Sequence, residues 1–264
     1  MKKHDLYWGA ALLALGVLLL IDRLLGISLW KVVGPLFLIA LGLWFIWGVR
    51  RDTPDLEPEE VTIPLKDAGQ ARIRIKHGAG RLHIGAGAGL DELVSGTFYG
   101  GVDHREVLHG DTLEVEMQAK SGEFPHFVRP WALGKGLDWN MALNSDLAIA
   151  LHVETGAASA ELDLEGLCVT ELVIKTGVSS TEVVLPAEAG YTRVSIESGV
   201  ASASFRVPEG VAARIQSSSG LASIDVDASR FPRKGDIYES LDYEGSQNRI
   251  DIQVQMGLGS VSIR

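Results

Sequence analysis

Leu151-His-Val-Glu-Thr-Gly156-Ala-Ala-Ser-Ala-Glu-Leu-Asp-Leu164 superimposes without a gap on Leu172-Val-Ile-Lys-Thr-Gly177-Val-Ser-Ser-Thr-Glu-Val-Val-Leu185. Val194-Ser-Ile-Glu-Ser-Gly199-Val-Ala-Ser-Ala-Ser-Phe-Arg-Val207 superimposes on both. Ile215–Val226 around Gly220 and Ile252–Ile263 around Gly257 continue the series, and Ile73–Ala86 around Gly78 is a more diverged member. Successive glycines from 156 to 220 lie 21, 22 and 21 residues apart. Positions five and three before the glycine are apolar in Leu151 and Val153, Leu172 and Ile174, Val194 and Ile196, and Ile252 and Val254. Positions six and eight after it are apolar again, as in Leu162 and Leu164 or Phe205 and Val207. Period-two alternation is the mark of a strand with one buried face. The inward set passes from odd to even offsets across the glycine, so the chain bends there, and the expectation is that glycine supplies a permissive φ for that bend.

A unit of this length cannot bury its own apolar face, but a stack of such units can, which predicts a solenoid-like or rolled β stack. Pro186 and Pro208 end two of the strands, since proline cannot donate to a ladder. The third position after the glycine is Ser159, Ser180, Ser202, Ser223 and Ser260. By parity these serines point outward and stack into a ladder. The ladder is either a polar stripe for a saccharide or another partner, or a set of exposed turn serines bonding local backbone, the second being favoured. Residues 119–146 interrupt the repeats with an aromatic, proline-containing stretch that includes Trp131 and Trp139. These tryptophans could form a recognition patch, but capping the open end of the stack is the favoured reading.

The rest of the chain divides by charge. The 264 residues carry a formal net charge of −10. Residues 1–51 hold six basic and two acidic side chains, net +4, and the remainder holds 18 basic and 32 acidic, net −14. An acidic body argues against nucleic-acid binding, which needs clustered Lys and Arg. Leu6–Ile21 and Val32–Val49 are stretches without a charge, reaching roughly 24 and 27 Å as helices. They are expected to form a two-helix transmembrane hairpin over residues 1–51, with Trp8, Trp30 and Trp47 as interfacial anchors. Cleavage as a signal peptide is disfavoured, because a second apolar stretch comes directly after the first. The flanking Lys2, Lys3, Arg50 and Arg51 place both termini and the β domain on the cytoplasmic side. Residues 52–60 form an acidic linker, and 61–264 form the β domain: a diverged part over 61–146, then regular repeats over 147–264.

Known chemistry finds little purchase. The chain has no G-x-x-x-x-G-K-[ST], G-x-S-x-G or H-E-x-x-H motif. Its one cysteine, Cys168, excludes an intramolecular disulfide and reads as a small apolar core residue. His104 and His109 lack a further ligand at a metal-binding spacing and read as surface residues. No catalytic, metal or cofactor residue is expected. An enzyme would need scattered acids such as Glu154, Glu161 and Asp163 to converge in one cleft.

Two resemblances rest on these residues. Residues 6–49, with Leu-Leu-Leu-Ile-Asp22-Arg-Leu-Leu-Gly26 and Trp30…Gly34-Pro35-Leu36, resemble the LiaI/LiaF-like transmembrane region of bacteria. Residues 61–264, with Gly78-Ala-Gly80-Arg-Leu, Gly96-Thr-Phe98 and the glycine–serine units, resemble the toastrack, adhesin-like β domain often joined to it. Together they imply a non-enzymatic, multi-pass protein of the bacterial cell membrane, linked to cell-envelope stress responses through partners such as a membrane sensor kinase. The alternative is an extracytoplasmic adhesin or saccharide-binding module. The open edges of repeated β units leave room for a homo-oligomer.

Overall fold

The computed structural model describes Leu38, residues 58–120 and residues 137–264. The chain divides into two compact units, Met1–Pro54 and Asp55–Arg264. The described strands all belong to the second unit. They are β1 (Pro58–Pro64), β2 (Gln70–Ala86), β3 (Glu92–Tyr99), β4 (Val102–His109), β5 (Thr112–Ala119), β6 (Asp138–Leu143) and β7 (Ala148–Asp163). Then come β8 (Val169–Val184), β9 (Tyr191–Arg206), β10 (Ala212–Val226), β11 (Arg233–Lys234), β12 (Ile237–Glu239) and β13 (Arg249–Ile263).

Six long strands run parallel in the order β2-β7-β8-β9-β13-β10. Each is one glycine-centred repeat, and each changes its buried phase at the glycine. In β7 the inward residues are Ile149, Leu151, Val153 and Thr155, and beyond Gly156 they become Ala160 and Leu162. The strand is thus bent into two arms that close on one core, with Leu151, Leu172, Val194 and Ile252 on the first arm. Leu162, Val183, Phe205 and Ile263 occupy the second. Period-two patterning decides which side chains enter this core; stacking supplies the area that one repeat lacks.

The ends of the stack differ. At one end the first arm of β2 pairs with β5, which pairs with β4, while its second arm pairs with β6, followed by β3 and β1. Both arms are covered. At the other end the short β12 pairs antiparallel with Arg214–Gln216 of β10 and is itself paired with β11. Glu239 holds this cover in place, accepting hydrogen bonds from Lys234 Nζ at 2.6 Å and Arg214 Nε at 2.7 Å. Both cations hold its carboxyl below the usual range, Lys234 most of all. The second arm of β10 has no such cover among the described residues.

Strand order departs from chain order, and two expectations change. Repeats do not stack in strict chain order, because β13 enters between β9 and β10. The longer segment between Gly220 and Gly257, which carries β11 and β12, lets the chain swing round and return. The expected membrane-anchored fold with an N-terminal two-helix hairpin is overturned: no helix among the described residues is long and apolar enough to cross a membrane. The described domain is built of strands whose apolar residues alternate into a core. The multi-pass membrane localisation is overturned on the same finding. The proposed spans, with Trp8, Trp30 and Trp47, lie outside the described residues apart from Leu38.

Candidate functional site

Because the six strands pair in register, residues at one offset from the glycine form one row across the stack. Gly78, Gly156, Gly177, Gly199, Gly257 and Gly220 line the bend in that spatial order. None of the six has a positive φ, so the expected conformational reason for glycine does not hold. At five of the six, all but Gly78, the reason is close approach. A Cβ on Gly156 would meet the Gly78 carbonyl oxygen at 2.7 Å, one on Gly177 the Gly156 oxygen at 2.7 Å, and one on Gly199 the Gly177 oxygen at 2.9 Å. Each repeat presses its bend onto the backbone of the one before.

Missing side chains at the bend leave a shallow open groove of about 670 Å³, floored by Gly177, Gly199, Gly257 and Gly220. Its wall is the row two residues earlier, in which Lys76, Glu154, Lys175, Glu197 and Gln255 are successive partners and all but Lys76 line the groove. The first four alternate in sign. A parallel in-register stack would otherwise set like charge on like charge, which destabilises neighbouring strands. Lys175 Nζ lies 2.9 Å from Glu197 Oε2, and Lys76 Nζ lies 2.6 Å from Glu116 Oε1 on β5. The Lys76 hydrogen bond holds the Glu116 carboxyl below its usual range.

On the other side of the bend a ridge rises, one residue after each glycine. It runs Ala79, Ala157, Val178, Val200, Leu258, Leu221. Val178 is 60% exposed, Val200 and Leu258 46% each, and Leu221 83%. Two residues further on stand Ser159, Ser180, Ser202, Ser260 and Ser223, all exposed, with Arg81 beside Ser159 at the near end. Ser202 Oγ and Ser260 Oγ are 3.4 Å apart. The structure therefore brings the serines singled out by their spacing into one outward row. Beside it stands an apolar ridge that the alternation pattern did not reveal. Its signal was present: a large aliphatic residue comes after four of the six glycines. Contiguous exposed apolar side chains on a folded domain mark contact surfaces.

The other candidates are placed differently. Trp139 is 1% exposed and buried edge-on to Phe98 and His77, with ring centroids 5.1 and 5.2 Å away. It therefore belongs to no surface patch. Trp131 lies outside the described residues. Glu154 lies on the groove wall, whereas Glu161 and Asp163 stand on the other arm of the same strand. Cys168 is only half-buried. Among the described residues no three His, Cys, Asp or Glu side chains are grouped to hold a metal.

His77, one residue before its glycine, is 2% exposed. Its Nε2–H donates to the Leu137 carbonyl at 2.7 Å, leaving Nδ1 without a partner among the described residues. Burial is the main influence and depresses its pKa, against smaller opposing effects of the Leu137 hydrogen bond and Asp138. The fold therefore holds His77 neutral, while the unfolded chain takes up its proton near 6.5. Stability is expected to be flat above that pH and to decline as pH falls below it, approaching about 1.4 kcal/mol per pH unit until the folded-state value is reached. Depressed carboxylates such as Glu59, Glu116 and Asp138 act only at more acid pH. Urea midpoints between pH 7.5 and 5.5 should fall for the parent chain and flatten for His77→Gln.

Among curated proteins no relative matches the chain. Two solved structures are similar. A candidate cell adhesion protein from Clostridium sporogenes superimposes with a TM-score of 0.67 at 21% identity, over 78% of this chain and 98% of that one. This likeness establishes the shared fold. A candidate adhesin from Bacteroides fragilis aligns over 80% of this chain and 99% of that one, at 9% identity and a TM-score of 0.27, too low to bear on the fold. Residues 53–206 match the profile of the N-terminal domain of toast_rack, DUF2154. That stretch takes in β1 through β9, with four of the six glycine bends, and the chain belongs to the toast_rack N-terminal domain family.

Proposed function

We propose that this chain is a non-enzymatic β-repeat scaffold that acts by holding a protein partner against its ridge-and-groove face, in the service of cell-envelope stress regulation. The observation that carries the scaffold reading is the exposed apolar row Val178, Val200, Leu258, set between a row of alternating charge and a row of serines. Such a surface combines an apolar centre with a polar rim, the composition of a protein-binding patch. It is built on rungs of a rigid stack rather than on loops, so its spacing is fixed before a partner arrives. The stress-response part rests on the resemblance to LiaF-like proteins, which work through other proteins.

Tagged chain recovered under gentle conditions from cells that make it should bring down one recurrent protein. Val178→Lys with Val200→Lys should reduce that recovery at least tenfold, about 1.4 kcal/mol, without loss of cooperative unfolding. Recovery of the parent chain alone, or of the same partner by the double variant, would overturn the reading.

The serine row supports a second reading, adhesion through saccharide. It is a regular line of exposed hydroxyls, and the similar Clostridium sporogenes protein is described as a candidate cell adhesion protein. Here Ser159→Ala, Ser180→Ala and Ser202→Ala together should abolish binding to immobilised cell-wall polysaccharide, and the valine variants should not.

A further inference from the structure

We propose that the second arm of β10 is a dimerisation edge, across which a second copy of this chain lays its own β10 antiparallel about a two-fold axis. Three separate features point there. The first is an unpaired backbone. Beyond Gln216, where β12 stops, residues 217–226 pair with β13 on one side and with no described strand on the other. An unpaired strand edge presents a row of free N–H and C=O groups.

The second is an incomplete core. Ile224 is on the same rung as Val261, Ala203, Thr181 and Ala160. Those four are 1, 6, 3 and 4% exposed, whereas Ile224 and the neighbouring inward Ala222 are only partly buried against the core. Every rung is sealed by the strand beyond it, and at β10 no described strand does so. Leu221, at 83% the most exposed member of the apolar ridge, stands on this same edge.

The third is chemistry, and it selects the occupant. Ser217-Ser-Ser-Gly-Leu-Ala-Ser-Ile224 has no charge and no proline, in a chain of net charge −10. Asp225, the next residue, is ion-paired with Arg264. The edges at the opposite end are blunted. β1 is Pro58-Glu-Glu-Val-Thr-Ile-Pro64, with two prolines and two carboxylates, and β4 carries Asp103, His104, Arg105 and Glu106. Prolines and charges are what guard natural edges against pairing. Head-to-tail growth of β10 onto either strand is therefore disfavoured, and the contact left is β10 with β10, which closes on itself as an isologous dimer. With Leu221 on the axis, the two Leu221 side chains cover each other, and each Asp225 falls opposite Ser217 of the other copy rather than a second carboxylate.

Sedimentation of the full chain at micromolar concentration should give the mass of two chains. Leu221→Lys with Ser223→Lys alters only exposed side chains and sets like charges across the axis, so it should halve that mass while keeping cooperative unfolding. Amides of 217–226 should exchange more slowly as parent-chain concentration rises. In a Cys168→Ser background, Leu221→Cys should give a disulfide-linked dimer on mild oxidation. A monomeric parent chain, or a dimer that survives the two lysines, overturns the proposal. Val178→Lys with Val200→Lys should leave the dimer intact, so loss of the partner-binding reading and loss of the dimer are read separately.

Discussion

Gly259→Ala should be among the most damaging single-methyl additions to the domain. Gly259 has φ +130°, a conformation that side chains rarely adopt, and a Cβ there would overlap the carbonyl oxygen of Ala201 on the neighbouring β9. Two costs then add: a strained backbone and an overpacked contact against main chain that cannot swing aside. About 3 kcal/mol or more is expected, a Tm drop of roughly 6–12 °C for a domain of this size. Gly110→Ala is the control. Its φ is +61° but nothing lies within 4 Å of the added carbon, so only the backbone term of about 1 kcal/mol should appear. Equal losses at the two positions would show that backbone conformation alone, and not the closeness of β13 to β9, makes glycine necessary at 259.

Trp139→Ala should cost about 3–5 kcal/mol, the range for emptying a large aromatic site. Trp139 wedges between Phe98 of β3 and His77 of β2 and fills the covered end of the stack. Its indole Nε1 has no hydrogen-bond partner among the described residues, so its contribution is packing and not polar recognition. Trp139→Phe keeps the six-membered ring and removes the orphaned donor, and should lose less than Trp139→Ala. Guanidinium unfolding curves separate the two variants. If Trp139→Ala instead unfolds like the parent while partner or polysaccharide binding disappears, the residue acts at the surface after all.

These two residues also show what was legible in the sequence. Alternation around Gly156, Gly177 and Gly199 was enough to define strands, a bend and a shared core, because side-chain direction in a strand follows strictly from parity. The serine row was legible for the same reason: equal offsets in parallel, in-register strands must line up. Parity says nothing of which strands are neighbours, so the position of β13 between β9 and β10 was hidden. Nor does it distinguish a glycine needed for φ from one needed for room. The bend glycines other than Gly78 are of the second kind, and Gly259 is of both. Trp139 lies in a stretch that breaks the repeat, where composition suggests a loop, whereas Asp138–Leu143 is a strand inside the sheet that buries the ring. The apolar ridge is masked in the sequence because its first two members, Ala79 and Ala157, are alanines, so the position reads as small.

The placement of β13 also constrains how the domain comes into being. A polypeptide leaving the ribosome releases β9 and β10 before β13, so a nascent β10 that docked on β9 at once would have to be prised off again. Completion must wait for the last fifteen-residue strand to arrive and slot home as a keystone. Shortening the chain before Arg249 would therefore not merely fray one margin; it would break the arch from within, stranding β10 together with its small antiparallel cover.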